Sequence, residues 1–389
     1  MRKLLCFILT LCMTLSCFLL SSCNKDGEND ENVSSDTIVL NVYNWGEYMP
    51  LNEDDGYALN DEFEAWYLEN YGKKVKVNYD TFSSNEELRA KMDFNAVNYD
   101  IIIPSDYMID YFVQNNMLAE LNFDNIPNYE NISEDYRGLY YDPDNKYTVP
   151  YTYGVVGIVY DANRVDKEDV ESMGWEIMWS EKYKDEGILQ FNNSRDAFGS
   201  AMYKMGIDVN TTDKSLWNAA LSELKAQKDI VKAYVMDEIY NFMEVGEAAI
   251  GAYYAGDYFT MVDNQEDYVD LQFYTPESTN VFVDAICIPK SCTGEQKTVA
   301  ERYINFILSE EVGIAVAEYI YYASPNRAVY TNETYIEDMR DAYDNLDAYD
   351  TIYPENFNFN ESFNKNAYRN LDADTLQYLA GLWENLKIE

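Results

Sequence analysis

Apolar and polar positions trade places along this chain with a period that changes from two to near four and back. Residues 37 to 43 alternate and then run apolar as a strand. Leu59, Phe63, Trp66, Tyr67 and Tyr71 then recur at helical spacing until Gly72 stops them. Val75, Val77 and Tyr79 alternate again, and Ser83-Ser84-Asn85-Glu86 has the spacing of a capping box that opens a helix through about Phe94. Tyr99 to Ile103 is a mostly apolar strand ending in Pro104-Ser105-Asp106-Tyr107. Strands that alternate with helices predict a mainly parallel α/β arrangement, in which ligands sit beyond the carboxyl ends of the strands. Trp45-Gly46-Glu47-Tyr48 and Ser105-Asp106-Tyr107 both follow strand ends, so both fall on that rim.

Beyond the turn Asp142-Pro143-Asp144-Asn145, residues 147 to 153 run extended into a strand over 155 to 160. The turn lacks the glycine and distal glutamate of a calcium-binding loop and reads as a plain turn. Further strands are expected over 188 to 191, 248 to 254, 271 to 273 and 280 to 288. Helices are expected over about 196 to 205 and 215 to 231, over 297 to 307 and on through 319 after Ser309, and over 374 to 386. The stretch 337 to 350 reads as a solvated helix or loop and 356 to 360 as a loop.

The first 22 residues follow another logic. Arg2 and Lys3 precede the apolar run Leu4 to Leu20, and Ser21-Ser22 stand before Cys23, the layout of an export signal. Leu20-Ser21-Ser22-Cys23 is similar to the lipobox of bacterial lipoproteins, which makes Cys23 the expected acylated first residue and 23 to 35 a flexible tether. The formal charge is −42, and −44 once Arg2 and Lys3 are removed. Such an excess of acid excludes nucleic acid as a partner and draws small cations instead. With no histidine in the chain, histidine-dependent nucleophiles and His-ligated zinc are excluded. Cys287 and Cys292 are read as unpaired thiols, and no cofactor or metal is expected.

Two aromatic faces around a carboxylate, as at Trp45, Glu47 and Tyr48, suit an organic cation. Taken alone, the same aromatics also fit a strand-edge core. Asp284 lies within the apolar run 281 to 288 and alternation puts it on one face with Phe282, so an acid there must be paired, solvated or functional. Ser105 has two readings, a ligand contact or a cap for the next helix.

The order of segments resembles the spermidine/putrescine-binding proteins of polyamine ABC transporters over about residues 37 to 389. The resemblance rests on Tyr43-Asn44-Trp45-Gly46-Glu47-Tyr48, on residues 99 to 107, 141 to 151 and 283 to 289, and on Tyr322-Ala323-Ser324-Pro325-Asn326. It implies an α/β fold of the two-lobed periplasmic-binding-protein type (type II), with the ligand cleft between lobes joined by crossing strands. Lobe one would be 36 to 147 plus 277 to 330, and lobe two 148 to 276 plus 331 to 389. It further implies a monomeric, non-enzymatic receptor, anchored by lipid at Cys23 to the outer face of the cytoplasmic membrane, which hands a polyamine to a permease with its cytoplasmic ATPase.

Carried over by residue, Trp45 and Tyr48 match wall aromatics, Glu47 a carboxylate, and Ser105 and Tyr107 the strand-end pair that lines the same cleft. Asn193 and Asp196 fall where the family often has two acids, Tyr254 and Phe282 where many members have tryptophan. Asp284 matches a carboxylate that grips a primary ammonium, and Tyr322 a further wall aromatic. Spermidine and putrescine both remain open as ligands. The rival readings are a receptor for another solute on the same architecture, and a secreted glycosidase working with two carboxylates.

Overall fold

The computed structural model describes residues 37–93, 98–343, 346–353 and 358–388. The expected signal at 1 to 22, the acylated Cys23 and the tether to residue 35 lie outside the described residues, as does part of the stretch 356 to 360. Nine strands form one mixed sheet: β1 (Ile38–Trp45), β2 (Val75–Phe82), β3 (Ile101–Ile102), β4 (Thr148–Asp161), β5 (Ile188–Phe191), β6 (Val231–Val235), β7 (Ile250–Tyr254), β8 (Leu271–Tyr274) and β9 (Val281–Cys287). The order is β2-β1-β3-β9-β4-β7-β5-β6, with β8 also on β4. β1 pairs in parallel with β2 and β3, and β5 in parallel with β6 and β7, which accounts for the alternating strand and helix pattern of both halves. Between them β4 and β9 run antiparallel.

The long strand β4 belongs to both halves. Its first part, from Thr148 to Val155, pairs with β9, and its second, from Val156, pairs with β7 and β8. Of its residues only Val155 is not fully buried, as expected of a strand covered on both faces. Asp142, itself buried, ties the preceding turn to β4 by accepting the N–H groups of Lys146, Tyr147 and Thr148.

The helices that follow the strands are α1 (Leu59–Tyr71), α2 (Asn85–Asp93), α3 (Asp106–Gln114), α4 (Lys167–Met173), α5 (Ser194–Lys204), α6 (Lys214–Gln227), α7 (Glu238–Met243), α8 (Ala255–Asn264), α9 (Gly294–Ile307) and α10 (Glu310–Ile320). α1 ends as the sequence predicts, with Gly72 in the left-handed conformation and its N–H on the Leu68 carbonyl. α9 packs against β1, whereas the C-terminal helix Ala373–Ile388 packs against α5 and α6.

Four expectations need correction. β1 extends through Trp45, because its register with β2 holds to the pair Trp45 and Phe82. The helix expected over 215 to 231 stops at Gln227, and Val231–Val235 forms β6 along β5. α8 occupies a stretch left unassigned above. The cap at the start of α2 lies one residue later than predicted and is not a reciprocal box: the Ser84 hydroxyl accepts the Glu87 N–H at 3.2 Å, while the Glu87 carboxylate accepts the N–H and hydroxyl of Ser83, the residue before the cap, each at 3.0 Å. Cys287 and Cys292 are free, buried thiols. Among the described residues no helix is long and apolar enough to cross a membrane.

Candidate functional site

The carboxyl ends of the parallel strands in both halves open onto one cavity of about 330 Å³, and all eleven candidate residues line it. Trp45 closes β1 with its ring 4.5 Å from that of Phe82, and its indole N–H is buried without a partner. Glu47 holds a left-handed backbone (φ 48°), which is strained for a residue with a side chain, and accepts the Tyr319 hydroxyl at 2.9 Å.

Tyr48 is the centre of a relay. Its hydroxyl donates to Asp284 Oδ2 at 2.8 Å, so the Thr152 hydroxyl at 2.6 Å must donate to it. Asp284 is buried on β9, and its other oxygen lacks a protein partner. Burial pushes the Asp284 carboxyl up to about 6, against the opposing pull of the Ser105 and Tyr48 hydroxyls. Ser105 precedes α3 but its hydroxyl does not cap that helix, which removes the capping reading; its backbone instead bridges to Asp284.

On the β5 side, Asn193 caps α5 by accepting the Asp196 N–H, and its amide donates to Asp196 Oδ2 at 2.7 Å. The same oxygen accepts the Tyr254 hydroxyl at 2.8 Å. Asp196 is buried, and desolvation raises its pKa in spite of these donors. Phe282 meets Tyr254 edge to face at 5.7 Å and Tyr322 at 6.1 Å. Tyr322 in turn lies 5.3 Å from the Tyr48 ring. This continuous wall exists because two positions carry no side chain. A Cβ on Gly154 would come within 2.7 Å of Phe282 and 2.9 Å of Tyr322, and one on Gly256 within 2.2 Å of Tyr322.

Sequence reasoning missed several lining residues, Asp257 above all. It sits in the first turn of α8, takes the hydroxyls of Tyr240 at 2.7 Å and Tyr322 at 2.9 Å, and burial pushes its carboxyl up to about 6. Its position three residues past Tyr254 mirrors that of Asp196 after β5, a strand-end acid at the head of a helix, and that parallel was a usable signal. Glu86, Asp237, Tyr240 and Tyr368 were also unassigned. Glu86 accepts Tyr107 at 3.1 Å and Asp237 accepts Tyr253 at 3.0 Å.

Among the described residues no lysine or arginine lines the cavity, while Glu47, Glu86, Asp106, Asp196, Asp237, Asp257 and Asp284 do. Arg195, behind the wall, is spent on the carbonyls of Val209 and Arg369 and on Asn210, and stacks on Tyr368 at 4.5 Å. Carboxylates removed from water and braced only by hydroxyls and amides need cations to neutralise them. The aromatic wall between them offers apolar faces to hydrocarbon. Such an arrangement holds a ligand and leaves it unchanged.

Comparison with known proteins agrees. Residues 97–344 match the bacterial extracellular solute-binding protein family. The spermidine/putrescine-binding periplasmic protein of Escherichia coli is 30% identical over 299 residues, 76% of this chain and 80% of that protein. A putrescine-binding periplasmic protein of the same organism is 22% identical over 310 residues, 76% of this chain and 80% of its own. Among solved structures, the substrate-binding protein of a spermidine/putrescine ABC transporter from Streptococcus pneumoniae superposes with a TM-score of 0.69 at 28% identity, covering 90% of this chain and 99% of that one. The fold is thus the two-lobed type II solute-binding architecture, and these relatives are transporter receptors, not enzymes. The chain belongs to the spermidine/putrescine-binding group of bacterial extracellular solute-binding proteins.

Proposed function

We propose that this protein captures spermidine or putrescine and delivers it to the permease of an ABC importer. The observation that carries the reading is the cavity's charge: several carboxylates around an aromatic wall, with no basic side chain among its lining residues. Ammonium groups replace lost hydration with carboxylate and hydroxyl contacts, while the rings of Trp45, Tyr48, Phe282 and Tyr322 cover the methylenes between. Asp284, Asp257 and Asp196 are three separate poles, each with its own tyrosine, which suits the three nitrogens of spermidine. Basic amino acids are disfavoured, since their own carboxylate would face this wall.

The two lobes, 36 to 147 plus 277 to 330 and 148 to 276 plus 331 to 389, would close on the ligand by bending where β4 and β9 cross, and the closed form would dock on the permease. A signal at residues 1 to 22 and acylation of Cys23 would hold this receptor as a monomer at the outer face of the cytoplasmic membrane. Calorimetric titration with putrescine, spermidine, spermine, lysine and arginine tests the ligand. Saturable heat from the polyamines alone is expected, and a folded, ligand-free protein that takes none of them would refute the proposal.

A further inference from the structure

The displaced cap leaves Glu86 free. Ser84 and Glu87 satisfy the start of α2, and Glu87 is further engaged by Lys91 at 3.1 Å. Glu86, one residue earlier, takes no part in this. It faces the cavity, its carboxylate accepts the Tyr107 hydroxyl at 3.1 Å and its own backbone N–H, and among the described residues no lysine or arginine forms an ion pair with it. Burial raises the Glu86 carboxyl above its ordinary range, and Asp196, on α5 across the same cavity, adds to that rise while the Arg195 guanidinium opposes it. The space between is lined by Tyr107 and Tyr368, whose ring centres are 6.2 Å apart, and the Tyr368 hydroxyl also faces Asp196. Two carboxylates, one from the β1 side and one from the β5 side, thus line the same cavity, and the nearest cation, Arg195, lies 6.0 Å from the Tyr107 ring and 4.5 Å from the Tyr368 ring with its N–H groups engaged by Val209, Asn210 and Arg369 rather than by an ion pair with either acid. A second observation points to a missing ligand in the same cavity: Asp284, 3% exposed, keeps one oxygen without a partner.

Like charges brought together by closure repel unless a cation lies between them. We propose that Glu86 and Asp196 form a cross-cleft clamp for one terminal ammonium of a triamine, so that Glu86 sets the preference for a triamine over a diamine. The inference rests on reading the cleft as a polyamine receptor and adds to it a residue and a selectivity. A diamine that spans Asp257 and Asp284 does not reach this clamp. A triamine does, and its third charge removes the repulsion that otherwise resists closure.

Titration of the full-length protein and its Glu86→Gln variant with putrescine, spermidine and the two mono-N-acetylated spermidines tests this. The variant is expected to bind spermidine about tenfold more weakly and putrescine within about twofold of the parent. Acetylation at the clamped end takes the ammonium away from both acids, so it should weaken binding to the parent by more than about tenfold and cost less in Glu86→Gln, where Asp196 alone still engages that end. Glu86→Asp, which keeps the charge, should retain most of the affinity, and equal thermal midpoints of the ligand-free proteins exclude a folding defect. Unchanged spermidine affinity in Glu86→Gln, or equal losses for spermidine and putrescine, would overturn the clamp. A parent protein that binds no polyamine would instead refute the receptor reading itself.

Discussion

Lowering the pH from 7 to 5 should release the ligand. Asp284 and Asp257 both carry carboxyls pushed up to about 6 by burial, whereas alkylammonium groups titrate near 10 and stay charged throughout. If both carboxyls must be ionised in the complex, each is about nine-tenths ionised at pH 7 and about one-tenth at pH 5. The product of the two is about a hundredfold loss of affinity, or about 2.7 kcal/mol.

The groups facing these acids sharpen the expectation. Asp284 meets the hydroxyls of Tyr48 and Ser105 with the buried Asp106 carboxyl beyond, and Asp257 meets Tyr240 and Tyr322 with Asp237 and Glu47 beyond, so no protein cation among these neighbours holds either carboxyl ionised in the empty cleft. Stability should move the other way. Because both folded pKa values are raised, protonation favours the ligand-free fold. That contribution is fully present below about pH 4 and is lost as the pH rises through about 6. Calorimetric titration with spermidine at pH 5, 6 and 7 at fixed salt, beside thermal scans of the empty protein, measures both. Affinity constant within about twofold across this range would refute the argument, as would a pH slope left intact in Asp284→Asn and Asp257→Asn.

Asp284→Asn itself should weaken polyamine binding by about 2 to 5 kcal/mol at pH 7, some thirtyfold to several thousandfold by calorimetry. The empty variant should unfold no earlier than the parent, since it loses a buried charge. Gly256→Ala should destabilise by about 1 to 3 kcal/mol in urea unfolding, because the added methyl displaces Tyr322. The same change should weaken binding by breaking the bond from Tyr322 to Asp257. Cys287 and Cys292 should resist alkylation in the native protein and react after unfolding, as burial pushes both thiols up from their ordinary range.

Strands flanked by clear punctuation were legible in the sequence: β5 falls on its predicted residues and β2 on its alternation. The strand-end candidates were legible for the same reason, since the period shows where an apolar strand ends and a polar rim begins. Trp45, Glu47, Tyr48, Ser105 and Tyr107 reach the cavity on that logic, whereas Asn193, Asp196, Tyr254, Phe282, Asp284 and Tyr322, which line it too, were assigned to a ligand by the family resemblance. The losses have local causes. β6 follows α6 with no proline or glycine between, so the helix was carried on to 231 and the strand that starts there went unassigned. α8 opens with Ala255-Gly256-Asp257, in which glycine weakens the helical signal, and Asp257 disappeared with it. The pair Ser83-Ser84 followed by Glu86-Glu87 permits two capping registers, and only the fold chooses the second. That choice decides which glutamate braces the start of a helix and which one faces the cavity.

The bare backbone at Gly154 and Gly256 has a consequence for how receptors of this design diversify. The Phe282 and Tyr322 rings rest against backbone that carries no Cβ, so a side chain at either glycine would drive them into the cleft. The two glycines are therefore closed to substitution, whereas the acids are open to it, since Asn for Asp at one pole alters charge at nearly constant volume. Asn193 beside Asp196 is such a position: its amide occupies a pole while leaving the packing of α5 intact. Lineages that share this wall can drift between ligands of different charge by single polar exchanges and keep the same hydrophobic frame.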